Sequence, residues 1–307
     1  MALRILTEAS GSLTVGYLIN SIKESGYLAV ASDIEETSVG KYLADDFILM
    51  PPADDGDLWK KTIELIKEIK IDIVIPSLDE TLLGWAERKD ELAKQDITII
   101  VSNPETIKIC QDKWFTYEFF LKNNIPTPET DINQKYPLIK PRFGRGGEGI
   151  LITSEPVCMN GMISQERLIG QEYTVDVLCN KHGHPVYIIP RQRIGVKEGK
   201  STGGVTVNHS EIIYWVKRIC ERLAFTGPIN IQCFDCKEEG IKFTEINPRI
   251  AGGMALGFAA TENWIPLLVE HFVYGKEITN LKPIQYGMMM RRYYAEVFVS
   301  PGNVGSN

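Results

Sequence analysis

The chain has 307 residues, which is enough for about two domains. Its 33 basic and 40 acidic residues give a formal net charge of −7, which argues against broad nucleic-acid binding because that needs a basic face. No apolar run approaches the roughly 20 residues of a membrane span, and Glu8 interrupts the first run before it could form a signal peptide. We therefore expect a soluble cytoplasmic protein with no nucleic-acid and no membrane partner.

The first hundred residues alternate strand-sized apolar runs with helical patterns, which predicts a parallel sheet covered by helices. The predicted strands are 4–7, 28–33, 46–50, 71–76 and 97–101, and the predicted helices are 13–25 and 58–70. The first loop lacks the G-x-G-x-x-G that seats a dinucleotide pyrophosphate, so no independent dinucleotide site is expected.

Acidic residues lie at or just after the ends of two of these strands. Asp33 is interpreted as a strand-end cap or a substrate contact. Asp79 and Glu80 follow the 71–76 strand, where ligands gather in parallel sheets, so they either face a substrate or open a helix as acidic first-turn residues.

A boundary is predicted near residue 103, followed by one or two helices over 106–123. From Tyr136 onward strands dominate. We predict strands at 138–140, 149–152, 163–166, 173–178 and 185–190, helices at 210–223 and 264–274, and a long mobile loop over 193–208.

Cysteine and histidine spacing does not point to a metal site. Cys233 and Cys236 form a single C-x-x-C without a second pair, so ordinary structural cysteines are favoured over a redox or zinc role. His182 and His184 lie in a predicted turn without nearby acidic or cysteine ligands, and exposed turn residues are the favoured interpretation.

Lys140 precedes a glycine-rich loop with G-x-G-x-x-G spacing at Gly144, Gly146 and Gly149, which also contains Gly147. A predicted strand enters the loop and another leaves it, so it is not a strand-to-helix dinucleotide turn. It resembles a flap that covers nucleotide phosphates, as in protein kinases, with Lys140 placed to neutralise them. A glycine-rich hairpin without a ligand remains the alternative for this motif by itself.

The stretch Gln165 to Tyr173 is predicted to be extended as far as Gly170. Its backbone could meet an adenine edge, while Glu172 accepts ribose hydroxyl groups. By itself it would pass for a surface strand and turn.

The most informative stretch is Thr244 to Arg249. Glu245 and Asn247 are two residues apart on a predicted strand, so their side chains point to the same side. A turn at 235–240 would form a hairpin that sets Gln232 beside Glu245. Three oxygen ligands on two paired strands suit Mg²⁺, whose remaining ligands are waters and substrate phosphates.

The order of these motifs resembles the ATP-grasp superfamily, and within it the enzymes like the large subunit of carbamoyl-phosphate synthetase. The resemblance implies an α/β fold, α+β in its second half: a Rossmann-like pre-ATP-grasp domain over 1–103, then an ATP-grasp domain over 104–307. Within the latter, 104–170 would be the smaller lobe with the flap and 171–307 the larger lobe with the metal site.

The resemblance also implies residue roles. ATP would be bound by Lys113 and Lys140 at the phosphates, by Glu166 and Leu168 at the adenine, by Glu172 at the ribose, and by the flap glycines. One or two Mg²⁺ ions, or Mn²⁺, would be held by Gln232, Glu245 and Asn247. Arg249 would lie near the transferred phosphoryl group, and Arg193 would be a further catalytic residue that contacts substrate or phosphate.

The implied function is ATP-dependent ligation of a carboxylate to an amine or similar nucleophile through an acylphosphate. Carbamoyl-phosphate synthetase has two such ATP units and this chain has one, so a single ligation is expected. A kinase-like phosphotransferase and a non-catalytic ATP-binding regulatory module remain alternatives, and a homodimer is expected by family analogy.

Overall fold

A five-stranded parallel sheet forms the N-terminal part of the computed structural model, which describes residues 2–12, 14–144, 146–197 and 200–300. The strand order is 3-2-1-4-5, as in doubly wound folds, which confirms the predicted α/β class. The order reverses between the first and fourth strands. The strands are β1 (Arg4–Thr7), β2 (Leu28–Asp33), β3 (Asp46–Leu49), β4 (Ile73–Ile75) and β5 (Thr98–Ile99).

Helices connect these strands. They are α1 (Gly16–Glu24), α2 (Gly40–Leu43), α3 (Leu58–Glu68) and α4 (Asp79–Ala93). The first helix begins later than predicted, and Leu13 lies outside the described residues. Asp33 accepts hydrogen bonds from the backbone N–H groups of Gly11 and Glu35 at 2.6 and 3.2 Å, so it caps the end of β2.

The region 106–123 contains two helices, α5 (Pro104–Gln111) and α6 (Lys113–Lys122). Asp112 separates them because its backbone is extended, and its side chain caps α6 by accepting from the Trp114 N–H at 2.9 Å. The next four strands form a small antiparallel sheet in the order β6-β9-β7-β8. They are β6 (Thr130–Asp131), β7 (Leu138–Pro141), β8 (Leu151–Ile152) and β9 (Met162–Gln165).

A six-stranded antiparallel sheet follows. In chain order the next elements are β10 (Gln171–Cys179), β11 (Pro185–Arg193), β12 (Val196–Lys197), β13 (Lys200–Ser201), β14 (Gly203–Thr206), α7 (Ser210–Arg222), β15 (Gly227–Asp235), β16 (Ile241–Asn247), α8 (Ala255–Ala260), α9 (Trp264–Phe272) and β17 (Met289–Arg291). The sheet order is β16-β15-β10-β11-β14-β17. The predicted mobile loop over 193–208 is wrong, because β14 joins this sheet and β12 pairs with β13; residues 198 and 199 lie outside the described part.

The two faces of the large sheet differ in character. One face packs against α5, α6 and α7, whose apolar residues such as Phe120, Val216 and Ile219 meet Val175 and Ile231. Residues of the opposite face include the charged and amide side chains described below. A second core joins that face to the N-terminal sheet through residues 250–269, so the two halves of the chain share buried apolar contacts.

Among the described residues, none of the helices has the length and apolar character needed to cross a membrane. The domain limits at residues 103 and 170 remain predictions.

Candidate active site

The hairpin of β15 and β16 carries the predicted metal ligands. Gln232 is directly opposite Glu245 and Asn230 is opposite Asn247, so the predicted pairing of Gln232 with Glu245 is confirmed. Directly opposite residues of an antiparallel pair share one face of the sheet. The carboxylate of Glu245 and the amides of Gln232 and Asn247 are therefore on the same face.

A β-bulge at Thr244 brings Glu245 to this face. The register passes from Gln232 opposite Glu245 to Cys233 opposite Phe243, which leaves Thr244 without a direct partner. Phe243 lies in the helix-covered core, and so does Ile246, three residues later. Side chains alternate along a strand, so two residues three apart would normally point to opposite faces. The extra residue at the bulge lets both Phe243 and Ile246 point to the helix-covered face and leaves Glu245 on the opposite face. Bulges are common beside active sites for this reason.

Arg249 follows the hairpin and is bound by a residue of the N-terminal part. Its Nε and Nη2 donate to the two carboxylate oxygens of Asp79 at 2.7 and 2.5 Å. Nη2 also donates to Asn247 Oδ1 and Nη1 to the Ile250 carbonyl, both at 3.2 Å. Burial acts to lower the pKa of Arg249, but the charge and hydrogen bonds of Asp79 outweigh it and raise that pKa. The guanidinium is therefore held, charged, beside a predicted metal ligand.

Lys140 approaches the same region from the small sheet. It lies on β7, is only 7% exposed, and donates from Nζ to Gln165 Oε1 at 2.9 Å. Burial lowers its pKa to about 8, while the negative charge of Glu245 opposes that shift and the positive charge of Lys113 adds to it. The charges of Glu245 and Lys113 thus both act on the pKa of Lys140, whose strand belongs to a different sheet from that of Glu245.

Lys113 ties α6 to the glycine-rich loop. Its backbone N–H donates to the Arg142 carbonyl at 3.0 Å and its Nζ to the Gly144 carbonyl at 2.9 Å. The predicted antiparallel strands around the loop are confirmed as β7 and β8. Gly144, Gly146, Gly147 and Gly149 all have positive φ, between 69° and 112°, a region that other residues rarely adopt. Arg145 lies outside the described residues.

The predicted adenine hinge lines a small cavity together with the β15–β16 turn. Glu166 and Leu168 contribute to its wall, as do Cys236 and Glu239. Glu166 forms an ion pair with Lys242, which also contacts Glu239 at 2.5 Å. A Cβ on Gly170 would come within 2.1 Å of the Asp235 carbonyl, so only glycine allows the hinge to approach the turn this closely.

Glu172 and Arg193 form an ion pair across β10 and β11. Thr174, two residues beyond Glu172 on β10, is opposite Gln232. Residues two apart on a strand share a face, so the register places Glu172 on the face that carries Gln232 and Glu245. The predicted ribose ligand thus has a cationic neighbour that orients its carboxylate.

The donor set of the hairpin fits a hard divalent cation. One carboxylate and two amide oxygens are ligand types that Mg²⁺ accepts, and it completes its shell with water and phosphate oxygens. No group of three or more His, Cys, Asp or Glu side chains arranged for a metal occurs among the described residues. The hairpin set differs from such groups because it has one carboxylate and two amide ligands.

Several neighbours of the site were not foreseen from the sequence. Asp176 and Arg191, at 0% and 2% exposure, form a buried ion pair on the same face, with hydrogen bonds of 2.5 and 2.7 Å, and Asn230 donates to Asp176 at 2.8 Å. The sequence signal for Asp176, Arg191 and Asn230 was the presence of polar residues within otherwise apolar strands. Lys242 gave no comparable signal, because a lysine on a strand is common.

Cys233 and Cys236 are buried and the paired histidines lie in an exposed turn, as interpreted from the sequence. Cys233 lies in the helix-covered core and burial raises its pKa, while all six cysteines are free thiols. The backbone N–H groups of His182 and His184 donate to Asn180 Oδ1 in an exposed turn.

Two family models match the chain. Residues 159–294 match the model described as ATP-grasp in the biosynthetic pathway with Ter operon, and residues 9–100 match the PylC-like N-terminal domain. A carbamoyl-phosphate synthase of Methanobrevibacter smithii is 24% identical over 143 residues, which are 43% of this chain and 38% of that protein. The chain thus matches well under half of this curated relative's length.

Solved structures share the fold over nearly the whole chain. The N5-carboxyaminoimidazole synthetase of Staphylococcus aureus complexed with ADP has a TM-score of 0.74 at 17% identity, covering 95% of this chain and 83% of that one. The biotin carboxylase domain dimer of the Hydrogenobacter thermophilus 2-oxoglutarate carboxylase, in complex with MgADP, ADP and bicarbonate, has a TM-score of 0.72 at 16% identity, covering 94% and 73%. These structures show a shared fold, and the two family models identify the chain as a member of the ATP-grasp superfamily with a PylC-like N-terminal domain.

Proposed function

We propose that the chain is an ATP-dependent ligase that joins a carboxylate to an amine or similar nucleophile through an acylphosphate. One observation carries the proposal. The bulged hairpin sets Gln232, Glu245 and Asn247 on one face, and the negative charge of Glu245 acts to raise the pKa of Lys140, which is buried in a different sheet. Such a convergence of oxygen ligands and fixed cations suits the polyphosphate of MgATP.

The reaction consists of two balanced displacements. A carboxylate oxygen of the substrate attacks the γ-phosphorus of ATP, the bond to the β–γ bridging oxygen breaks, and ADP leaves. The amine nitrogen then attacks the acyl carbon, the bond from that carbon to the phosphate oxygen breaks, and the nitrogen loses a proton. The phosphate that leaves retains one oxygen of the original carboxylate.

The chain's contribution is to position groups and to neutralise charge. Lys140 and Lys113 face the phosphates, Arg249 supports the transferred phosphoryl group, and Gln232, Glu245 and Asn247 would hold one or two Mg²⁺ or Mn²⁺ ions. A bound divalent cation supplies further charge neutralisation at the phosphate oxygens.

The remaining predicted contacts bind the nucleoside and protect the intermediate. Glu166 and Leu168 line the adenine end, and Glu172, oriented by Arg193, accepts the ribose hydroxyl groups. The loop of Gly144, Gly146 and Gly147 covers the phosphates and excludes water, which would otherwise hydrolyse the acylphosphate.

The experiment measures ADP release over a panel of carboxylates and amines. Bicarbonate belongs in the panel, because the similar proteins are named as a carbamoyl-phosphate synthase and a biotin carboxylase. Within the class of carboxylate–amine ligases, we propose a reaction like that of the synthase. A carboxylate labelled with ¹⁸O should pass one labelled oxygen to inorganic phosphate. A stable phosphorylated product without an amine would indicate a phosphotransferase instead, and ATP binding without turnover a regulatory module.

Two variants test the residue roles. Glu245→Ala should abolish substrate-dependent ADP release, whereas Glu221→Ala, which removes an exposed carboxylate from α7, should not. Lys140→Ala should weaken ATP binding. Undiminished turnover in Glu245→Ala, or unchanged ATP affinity in Lys140→Ala, would contradict the site.

We further propose a homodimer, which sedimentation equilibrium tests directly.

A further inference from the structure

Arg249 is fixed by groups from two distant parts of the chain. Two of its N–H groups are used by Asp79, 170 positions earlier in the sequence, and two others by Asn247 and the Ile250 carbonyl. The bidentate geometry determines both the position and the plane of the guanidinium. A long side chain that would otherwise sample several rotamers is thereby held in one.

Asp79 belongs to the N-terminal sheet unit, at a point held by several hydrogen bonds. It is the first residue of α4, which begins after a short connection from β4, and the strand order reverses between β1 and β4. The Gln111 side chain donates to its carbonyl oxygen. Glu8, at the end of β1, accepts from Thr81 Oγ1 at 3.0 Å and from Trp85 Nε1 at 2.8 Å, which fastens the first turns of α4 to that strand.

We propose that Asp79 is a positioning residue for the reaction: the N-terminal domain orients the arginine of the ATP site through this carboxylate. The inference rests on the proposed function, because it gives Asp79 a role that acts through Arg249. From the sequence, Asp79 was expected either to face a substrate or to be an acidic first-turn residue of α4. The proposal gives it a third role, which is to orient Arg249.

A different explanation is that the ion pair merely docks the N-terminal sheet on the rest of the chain. Another polar contact between the same two parts separates these explanations. Tyr17 on α1 donates from its hydroxyl to the Ala251 carbonyl at 2.8 Å, and this bond does not involve Arg249. Tyr17→Phe therefore weakens docking while leaving the guanidinium in place. Glu91→Gln, on the exposed part of α4, controls for loss of an acidic residue from that helix.

The first test is a double-mutant cycle of Asp79→Asn and Arg249→Met, with ADP release from MgATP as the assay and the best acceptor pair from the panel. Asp79→Asn alone should lower kcat by about 10²-fold, the loss typical of a misplaced catalytic group, with a much smaller change in KM for ATP. In the Arg249→Met background the same substitution should change kcat less than about threefold, because coupled residues are not additive. Asp79→Glu, which keeps the charge but lengthens the side chain, should give an intermediate loss.

The proposal is overturned if the two effects multiply, or if Tyr17→Phe lowers kcat as much as Asp79→Asn. Activity of the parent protein distinguishes a failure of the proposed ligase function from a failure of the role of Asp79. If it releases no ADP with any pair, the proposed function fails, and the positioning of Arg249 is judged by a measurement that needs no turnover.

That measurement is the NMR signal of the arginine Nε–H groups in protein labelled with ¹⁵N-arginine. The signal missing in Arg249→Lys identifies Arg249. In the parent and in Tyr17→Phe it should exchange slowly with solvent, and in Asp79→Asn it should exchange at least about tenfold faster, since a charge-assisted hydrogen bond is lost. Equal exchange in the parent and in Asp79→Asn would show that Asp79 does not hold the guanidinium.

Discussion

Replacing Gln232 with glutamate should turn the hairpin into a stronger but less stable divalent-cation site. The new carboxylate would be directly opposite Glu245. Opposite Cβ atoms are about 5 Å apart, and two unit charges at that distance repel by roughly 3 kcal/mol at an effective dielectric constant of 20. Lys140, whose pKa responds to the charge of Glu245, offsets part of this repulsion.

We therefore expect Gln232→Glu to lower the free energy of unfolding by about 1–2 kcal/mol in the absence of divalent cations. Bound Mg²⁺ removes the repulsion, so its affinity should rise about 10- to 30-fold, the factor that corresponds to 1.4–2 kcal/mol. Stability is measured by urea unfolding in EDTA and affinity by calorimetric titration of Mg²⁺ without nucleotide. Gln95→Glu, near the end of α4, is a control for added charge on an exposed surface.

The opposite outcomes would refute the reasoning. If Gln232→Glu binds Mg²⁺ no better than the parent, the two side chains do not share a cation. If its stability in EDTA is also unchanged, they are not close enough to repel, and the register-based placement of the site is wrong.

Two further predictions concern buried charges. Asp176→Asn should destabilise the protein by about 3–5 kcal/mol in urea unfolding, because it leaves the buried guanidinium of Arg191 without its counter-charge; a loss below about 1 kcal/mol would contradict this. Burial raises the pKa of Glu8 above 4.5, despite hydrogen bonds from Trp85 and others that lower it, so its contribution to stability is present below that pH and is lost as pH rises through the folded-state pKa. Glu8→Gln should remove this decline. If the free energy of unfolding of the parent and of Glu8→Gln changes with pH in parallel above pH 4.5, the raised pKa of Glu8 is refuted.

Local sequence patterns were sufficient for most of the secondary structure. Alternating apolar runs and helices predicted the parallel sheet, and the turn at 235–240 predicted the hairpin that pairs Gln232 with Glu245. The phase change from Phe243 to Ile246 also contained the signal of the bulge, which a strict alternation of side chains hides. The 193–208 segment was predicted wrongly because its glycine and lysine content suggested a loop, whereas β14 is held by its neighbours β11 and β17.

The sequence by itself determined which residue types are available for nucleotide and cation, because strand periodicity and turn chemistry act over a few residues. Only the tertiary structure decided which of them meet. Asp79 and Arg249 are 170 positions apart, and Lys140 reaches the neighbourhood of Glu245 from another sheet. Such contacts depend on how the sheets and helices pack, and packing follows from burial of apolar surface that is shared by the whole chain.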